Sequence, residues 1–86
     1  MRIVYGDDFI KQAKKLPTTA KKFLSRGLVF LKNNPYDSRL HAKRLSGDLT
    51  GFLSFRITRD YRVIFYFLDE ETIKLVDVAH RKDIYR

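Results

Sequence analysis

The sequence predicts an α+β fold in which a two-helix hairpin covers one face of a small, mainly antiparallel sheet. Three observations point there. Apolar residues recur at helical spacing from Phe9 to Leu31. Three runs rich in β-branched and aromatic residues follow, at 51–57, 61–68 and 72–80. The helical segments precede these runs instead of alternating with them, which separates α+β from a parallel α/β architecture.

The elements can be justified in order. "MRIVY" alternates Ile3 and Tyr5 against Arg2 and Val4, a short opening strand. Gly6, Asp7 and Asp8 supply a turn and a helix start, and Phe9, Ile10, Ala13 and Leu16 form the first apolar stripe. Pro17 stops that helix, and Thr18 or Thr19 caps the next. Its stripe is Ala20, Phe23, Leu24, Gly27, Leu28 and Leu31, and Asn33-Asn34-Pro35 ends it. The stretch from Asn33 to Asp48 reads as irregular. The order is therefore β-α-α-β-β-β, within a single domain spanning residues 1–86.

The turns Thr58-Arg59-Asp60 and Asp69-Glu70-Glu71 separate the last three strands. Alternation sets Leu53, Phe55 and Ile57 on one face, with Tyr61, Val63, Phe65 and Phe67 on the same face of the next strand. A three-residue loop then pairs Ile57 with Tyr61, Phe55 with Val63 and Leu53 with Phe65. On the other face Phe52 meets Tyr66, Ser54 meets Ile64, and Arg56 stands opposite Arg62. The last strand has apolar residues on both faces, and its pattern leaves its register open.

Like charges directly opposite on a sheet are destabilising. Either a carboxylate, Asp60 or Asp77, sits between Arg56 and Arg62, or the two guanidinium groups converge on a bound anion. The overall charge favours the anion. Eighteen Lys and Arg against ten Asp and Glu leave +8 on 86 residues, a field that attracts nucleic acid or an anionic surface. Further basic residues cluster in the connection, at Arg39, His41, Lys43 and Arg44. Lys21, Lys22, Arg26 and Lys32 lie on the solvated face of the second helix. Without cysteine there is no disulfide or thiolate zinc site, and the two histidines show no metal-ligand spacing. Neither a metal nor a cofactor is implied. No signal-peptide core or run of roughly 18 apolar residues is present, so the chain is predicted to be soluble and cytoplasmic, with no membrane partner.

Three stretches, taken in order, resemble the RelE/ParE superfamily of toxins from type II toxin–antitoxin pairs. They are Lys43-Arg44-Leu45-Ser46-Gly47, the hairpin from Arg56 through Asp60-Tyr61-Arg62, and His80-Arg81-Lys82-Asp83-Ile84-Tyr85. The RelE-like branch implies a ribosome-dependent endoribonuclease. It cleaves messenger RNA in the ribosomal A site by attack of the 2′-hydroxyl, without metal, and so inhibits translation. The resemblance assigns catalysis to Arg56, Arg62, Arg81 and Tyr85. Where some relatives carry a glutamate base, this chain has Lys43.

His80 joins the catalytic set as a proton carrier, since its ordinary pKa suits that task. Tyr85 either stacks on a base or donates a proton. His41, Lys43, Arg44, Arg59 and Lys82 are the candidate RNA contacts. The implied partners are messenger RNA, the ribosome and a cognate antitoxin, with which the chain forms a hetero-oligomer. Two alternatives stay open: a ParE-like poison of DNA gyrase, and a basic RNA-binding module without catalysis.

Overall fold

The structure, a computed structural model, describes residues 1–84. Along the chain run β1 (Arg2–Tyr5), α1 (Asp7–Lys14), α2 (Thr18–Asn33), β2 (Lys43–Arg44), β3 (Leu53–Arg56), β4 (Tyr61–Asp69), β5 (Thr72–His80) and α3 (Arg81–Ile84). Single 3-10 turns at Ser38–Leu40 and Gly47–Leu49 flank β2. The strands form one sheet in the order β1-β5-β4-β3-β2, antiparallel except for the parallel pair of β1 with β5. The predicted α+β class holds. The segment read as irregular contains a short edge strand, because Lys43 and Arg44 register against Ser54 and Leu53.

Gly6 joins β1 to α1 where the chain passes close to β5. Its N–H donates to the Leu75 carbonyl at 2.9 Å, and a Cβ there would lie 2.6 Å from that oxygen. Asp7 and Asp8 then occupy the first turn of α1, where carboxylates oppose the helix dipole favourably. α2 starts differently from the prediction. Pro17 holds the cap position without a side-chain bond and Thr18 is already helical, so neither threonine caps. The preset φ of Pro17, −55°, opens the helix, and its carbonyl accepts the Lys21 N–H at 3.0 Å.

The core lies between the helices and one sheet face. Phe9, Ala20, Leu24, Leu31, Phe55, Val63, Phe65, Ile73, Leu75 and Val78 are buried in it. Gly27 lets α2 come close, since a Cβ there would meet the Phe55 ring at 3.2 Å. Ile10 and Phe23, predicted as core, are exposed at 39% and 37%. They lie at the margin of stripes whose centres, Phe9 and Leu24, already fill the space over the sheet.

The β3–β4 register is the predicted one: Leu53 with Phe65, Ser54 with Ile64, Phe55 with Val63, Arg56 with Arg62. β5 could not be registered by alternation because it carries a bulge. Phe65 pairs with Leu75 and Ile64 with Asp77, so Val76 is an extra residue. Ile73 and Leu75 before it, and Val78 after it, therefore all reach the helix-side core, although 75 and 78 differ in parity. A second cluster occupies the far face: Leu45, Ile64 and Ile84 are buried together, with Phe52, Val76 and Ala79 packed against them. Among the described residues no helix is long and apolar enough to cross a membrane.

Candidate nucleic-acid interface

The hairpin turn between β3 and β4 is built by two of its own side chains. The Thr58 hydroxyl accepts from the N–H groups of Asp60 and Tyr61, at 3.3 and 3.2 Å. Arg62 Nη1 lies 2.9 Å from the carbonyls of both Thr58 and Arg59, and 3.2 Å from that of Tyr61. This answers how the sheet tolerates Arg56 opposite Arg62. The guanidinium of Arg62 turns back onto three carbonyl dipoles, while Arg56 turns outward into a hollow against α2. The two do not converge on one point, contrary to the expectation from register alone.

Neither predicted carboxylate lies between them. Asp60 faces Arg81 instead, with Arg81 Nε 3.6 Å from Asp60 Oδ1 and the Arg81 N–H donating to the Asp60 carbonyl at 2.7 Å. Both side chains are about half exposed, so the ion pair positions more than it stabilises. Asp77 lines a separate hollow with Gln12, Lys15 and Tyr61. Burial raises its pKa above the ordinary carboxylate value, and the Asp8 charge adds to that. A bond from the Val78 N–H works in the other direction.

The far face gathers cations from separate segments. Lys43 registers with Ser54, which registers with Ile64, in the row next to Arg56 and Arg62. Period two places Lys43 on the Arg62 face, with buried Ser54 between the two strands that carry them. A hollow of about 450 Å³ opens there, lined by Lys43, Arg44, Leu45, Ser46, Leu49 and Ile84, with one carboxylate, Asp48, also on its wall. Gly47 shapes one wall at φ +64°, a left-handed conformation that suits glycine. Ile84 brings α3 against the other wall, because its side chain is buried with Leu45 and Ile64. The structure therefore brings Lys43, Arg44 and the start of the tail to one hollow, with Arg62 on the same sheet face two strands from Lys43.

His80 does not join them. It registers with Tyr61, a core-side residue, and its ring meets that of Tyr61 edge-on at 5.5 Å. Its Nδ1 accepts the Lys82 N–H at 3.2 Å, as a capping side chain does at the start of a helix. His80 is thus placed to hold α3. His41 is exposed in the connection with φ 50°, and Arg59 and Lys82 are exposed at the turn tip and on α3. Tyr85 lies outside the described residues. Among those described, no three His, Asp or Glu side chains could hold a metal ion together. Thr58 escaped sequence reasoning. Its only signal is a hydroxyl two and three residues before N–H groups that need acceptors.

Comparison with known proteins bears on the fold and the family. No curated protein matches the sequence. Among solved structures, YafQ from E. coli strain BL21(DE3) superposes with a TM-score of 0.77 at 19% identity, covering 100% of both chains. A YoeB/ParE toxin from Agrobacterium tumefaciens gives 0.79 at 15% identity, over 94% of this chain and 99% of that one. The RelB–RelE antitoxin–toxin complex from Methanococcus jannaschii gives 0.76 at 23%, over 95% and 94%. At such identities the likeness establishes the fold. The family model for the ParE toxin of the type II toxin–antitoxin system parDE matches residues 3–85, nearly the whole sequence. On that match the chain belongs to the ParE toxin family of type II toxin–antitoxin systems, within the RelE/ParE superfamily.

Proposed function

We propose that this toxin is a ribosome-dependent endoribonuclease that cleaves messenger RNA in the A site. The observation that supports the reading best is that Lys43 and Arg62 share one sheet face with the buried Ile84 of α3, beside a hollow with room for a nucleotide. In the proposed reaction the 2′-oxygen attacks the adjacent phosphorus and the bond to the 5′-oxygen breaks. A 2′,3′-cyclic phosphate and a 5′-hydroxyl result. One proton leaves the 2′-hydroxyl and one reaches the 5′-oxygen. Charge builds on the non-bridging oxygens, where fixed cations lower the barrier most.

Arg62 suits that role because the turn carbonyls fix its guanidinium plane. Arg81, steadied by Asp60, is the second cation. Lys43, which lines the hollow, is a third cation. Tyr85, which follows Ile84, is assigned base stacking or proton donation. His80 acts through α3, which it caps, and so is a positioning residue in this reading. The cognate partner is an antitoxin, by likeness to the RelB–RelE complex.

The test is incubation of the purified chain with programmed ribosomes and mapping of message ends. Cleavage in the A-site codon with a cyclic phosphate end is expected. The match to a ParE model favours a second reading, in which the target is DNA gyrase. Intact message together with a DNA-damage response on induced expression would select that reading and reject the first.

A further inference from the structure

β2 covers β3 only at Leu53 and Ser54, which leaves the outer edge of β3 at Arg56 without a neighbouring strand among the described residues. Arg56 there lines a hollow of about 200 Å³ with Arg26 of α2 and Arg39 of the following connection. Aromatic rings support two of the three guanidinium groups. Arg26 Cζ lies 5.2 Å from the Phe23 ring centre, and Arg39 Cζ lies 3.8 Å from that of Phe30. Asp37 holds Arg39 in bidentate fashion, with Nε to Oδ1 at 3.0 Å and Nη2 to Oδ2 at 2.7 Å, which leaves Nη1 available. Three guanidinium groups against one carboxylate leave net positive charge in a preset geometry, and among the described residues no acidic side chain lines the hollow itself.

We propose that this hollow is a second phosphate site, which takes a phosphodiester of an RNA strand flanking the segment on the Arg62 face. Guanidinium forks match phosphate oxygens, and stacking on an aromatic face fixes the fork before the ligand arrives. Continuity with the first site favours RNA over an acidic peptide. Arg56 and Arg62 are cross-strand partners, so their backbones are about 4.5–5.5 Å apart. Their side chains point to the two sites from one row. A strand bound at Arg62 has neighbouring phosphates within reach of the β3 edge. Arg56 then grips the substrate beside the reaction centre instead of acting in it. This inference rests on the chain being an RNA-directed toxin.

The probe is a short single-stranded 2′-O-methyl RNA, which lacks the attacking hydroxyl and reports binding alone. Its affinity for the full chain is measured by fluorescence anisotropy across a salt series. Arg26→Gln/Arg39→Gln is expected to weaken binding several-fold and make the log–log salt slope shallower by about 0.7 for each lost contact. Arg56→Gln, on an exposed strand end, is expected to do the same for one contact, with thermal melting confirming its fold. Wild-type affinity and slope in both variants would overturn the proposal. So would a loss confined to binding of a poly-glutamate peptide, which would make the hollow a protein-docking site. Slope changes in a chain that cleaves nothing on ribosomes would support the site and reject the nuclease reading. Cleavage with unchanged slopes would do the reverse.

Discussion

Arg62 donates to three carbonyls of its own hairpin, so replacing it touches both the fold and the proposed chemistry. From the sequence, relief of repulsion from Arg56 would make Arg62→Ala benign for folding. The bonds reverse that expectation. Loss of a charged donor from part-buried carbonyls is expected to cost about 1–2 kcal/mol, moderated by water that can replace it. Cleavage is expected to fall about 10²–10³-fold, the typical effect of removing a transition-state clamp. Melting curves and single-turnover cleavage separate the two effects. Activity that recovers fully when temperature is lowered to restore folding would make Arg62 structural only.

Two aspartates give opposite pH signatures. The Arg39 side chain and N–H, bonded to Asp37, hold its pKa near 2, below the ordinary 3.8. Its contribution is present above pH 3.8 and is lost as pH falls toward 2. Asp77 is raised by burial, so its ionisation opposes folding as pH climbs above 3.8. Asp77→Asn is therefore expected to stabilise the protein at neutral pH but not in acid, and Asp37→Asn to flatten the acid limb. Denaturant titrations at several pH values check both signs.

At the scale of elements, α3 is a four-residue helix that could not persist alone, since helix nucleation is unfavourable at that length. It is held by the His80 cap at one end and by Ile84 in the far-face cluster at the other. Ile84→Ala is expected to cost about 2 kcal/mol, the low end for a large-to-small change, because this cluster is small and near the surface. Truncation after Ala79 would expose Leu45 and Ile64 as well, so its cost exceeds the modest loss the sequence suggests. Among the described residues the tail contributes none to the helix-side core, which should still unfold cooperatively in urea. Its collapse on truncation would show that the two clusters are not separable. Gly6→Ala tests the other end of the chain. The added methyl must push against the Leu75 carbonyl, and a melting temperature lowered by several degrees is the expected result.

For the whole molecule, net charge governs association. With +8 spread over α2, the β2 connection and the tail, ribosome binding is expected to weaken steeply with salt. The log–log slope should approach −0.9 for each duplex phosphate neutralised. Sedimentation of the chain with ribosomes between about 50 and 200 mM salt reads the slope. Flat binding over that range would remove nucleic acid as the source of affinity. The sheet also explains how so small a protein carries this charge. Apolar residues fill the helix-side face almost completely, so the cations fall on the far face, its edges and the outer side of α2.

Period-two and helical patterns are local properties of the chain, and they were enough to predict the α+β class, the helix hairpin and every pair of the β3–β4 register. Arg62 as a candidate site residue followed from the same alternation, and Lys43 and the tail from their charge and a family resemblance. Where local pattern failed, a non-local contact had decided. Val76 bulges because the strand must bring both Leu75 and Val78 to one core. Lys43 and Arg44 form a strand only because Ser54 and Leu53 offer an open edge. Arg56 and Arg62 share a row, yet rotamers and acceptors from the turn and α2 send their charges to different places. Side-chain direction at a charged site depends on which dipoles and rings surround it in space, and residue order along one strand does not contain that information.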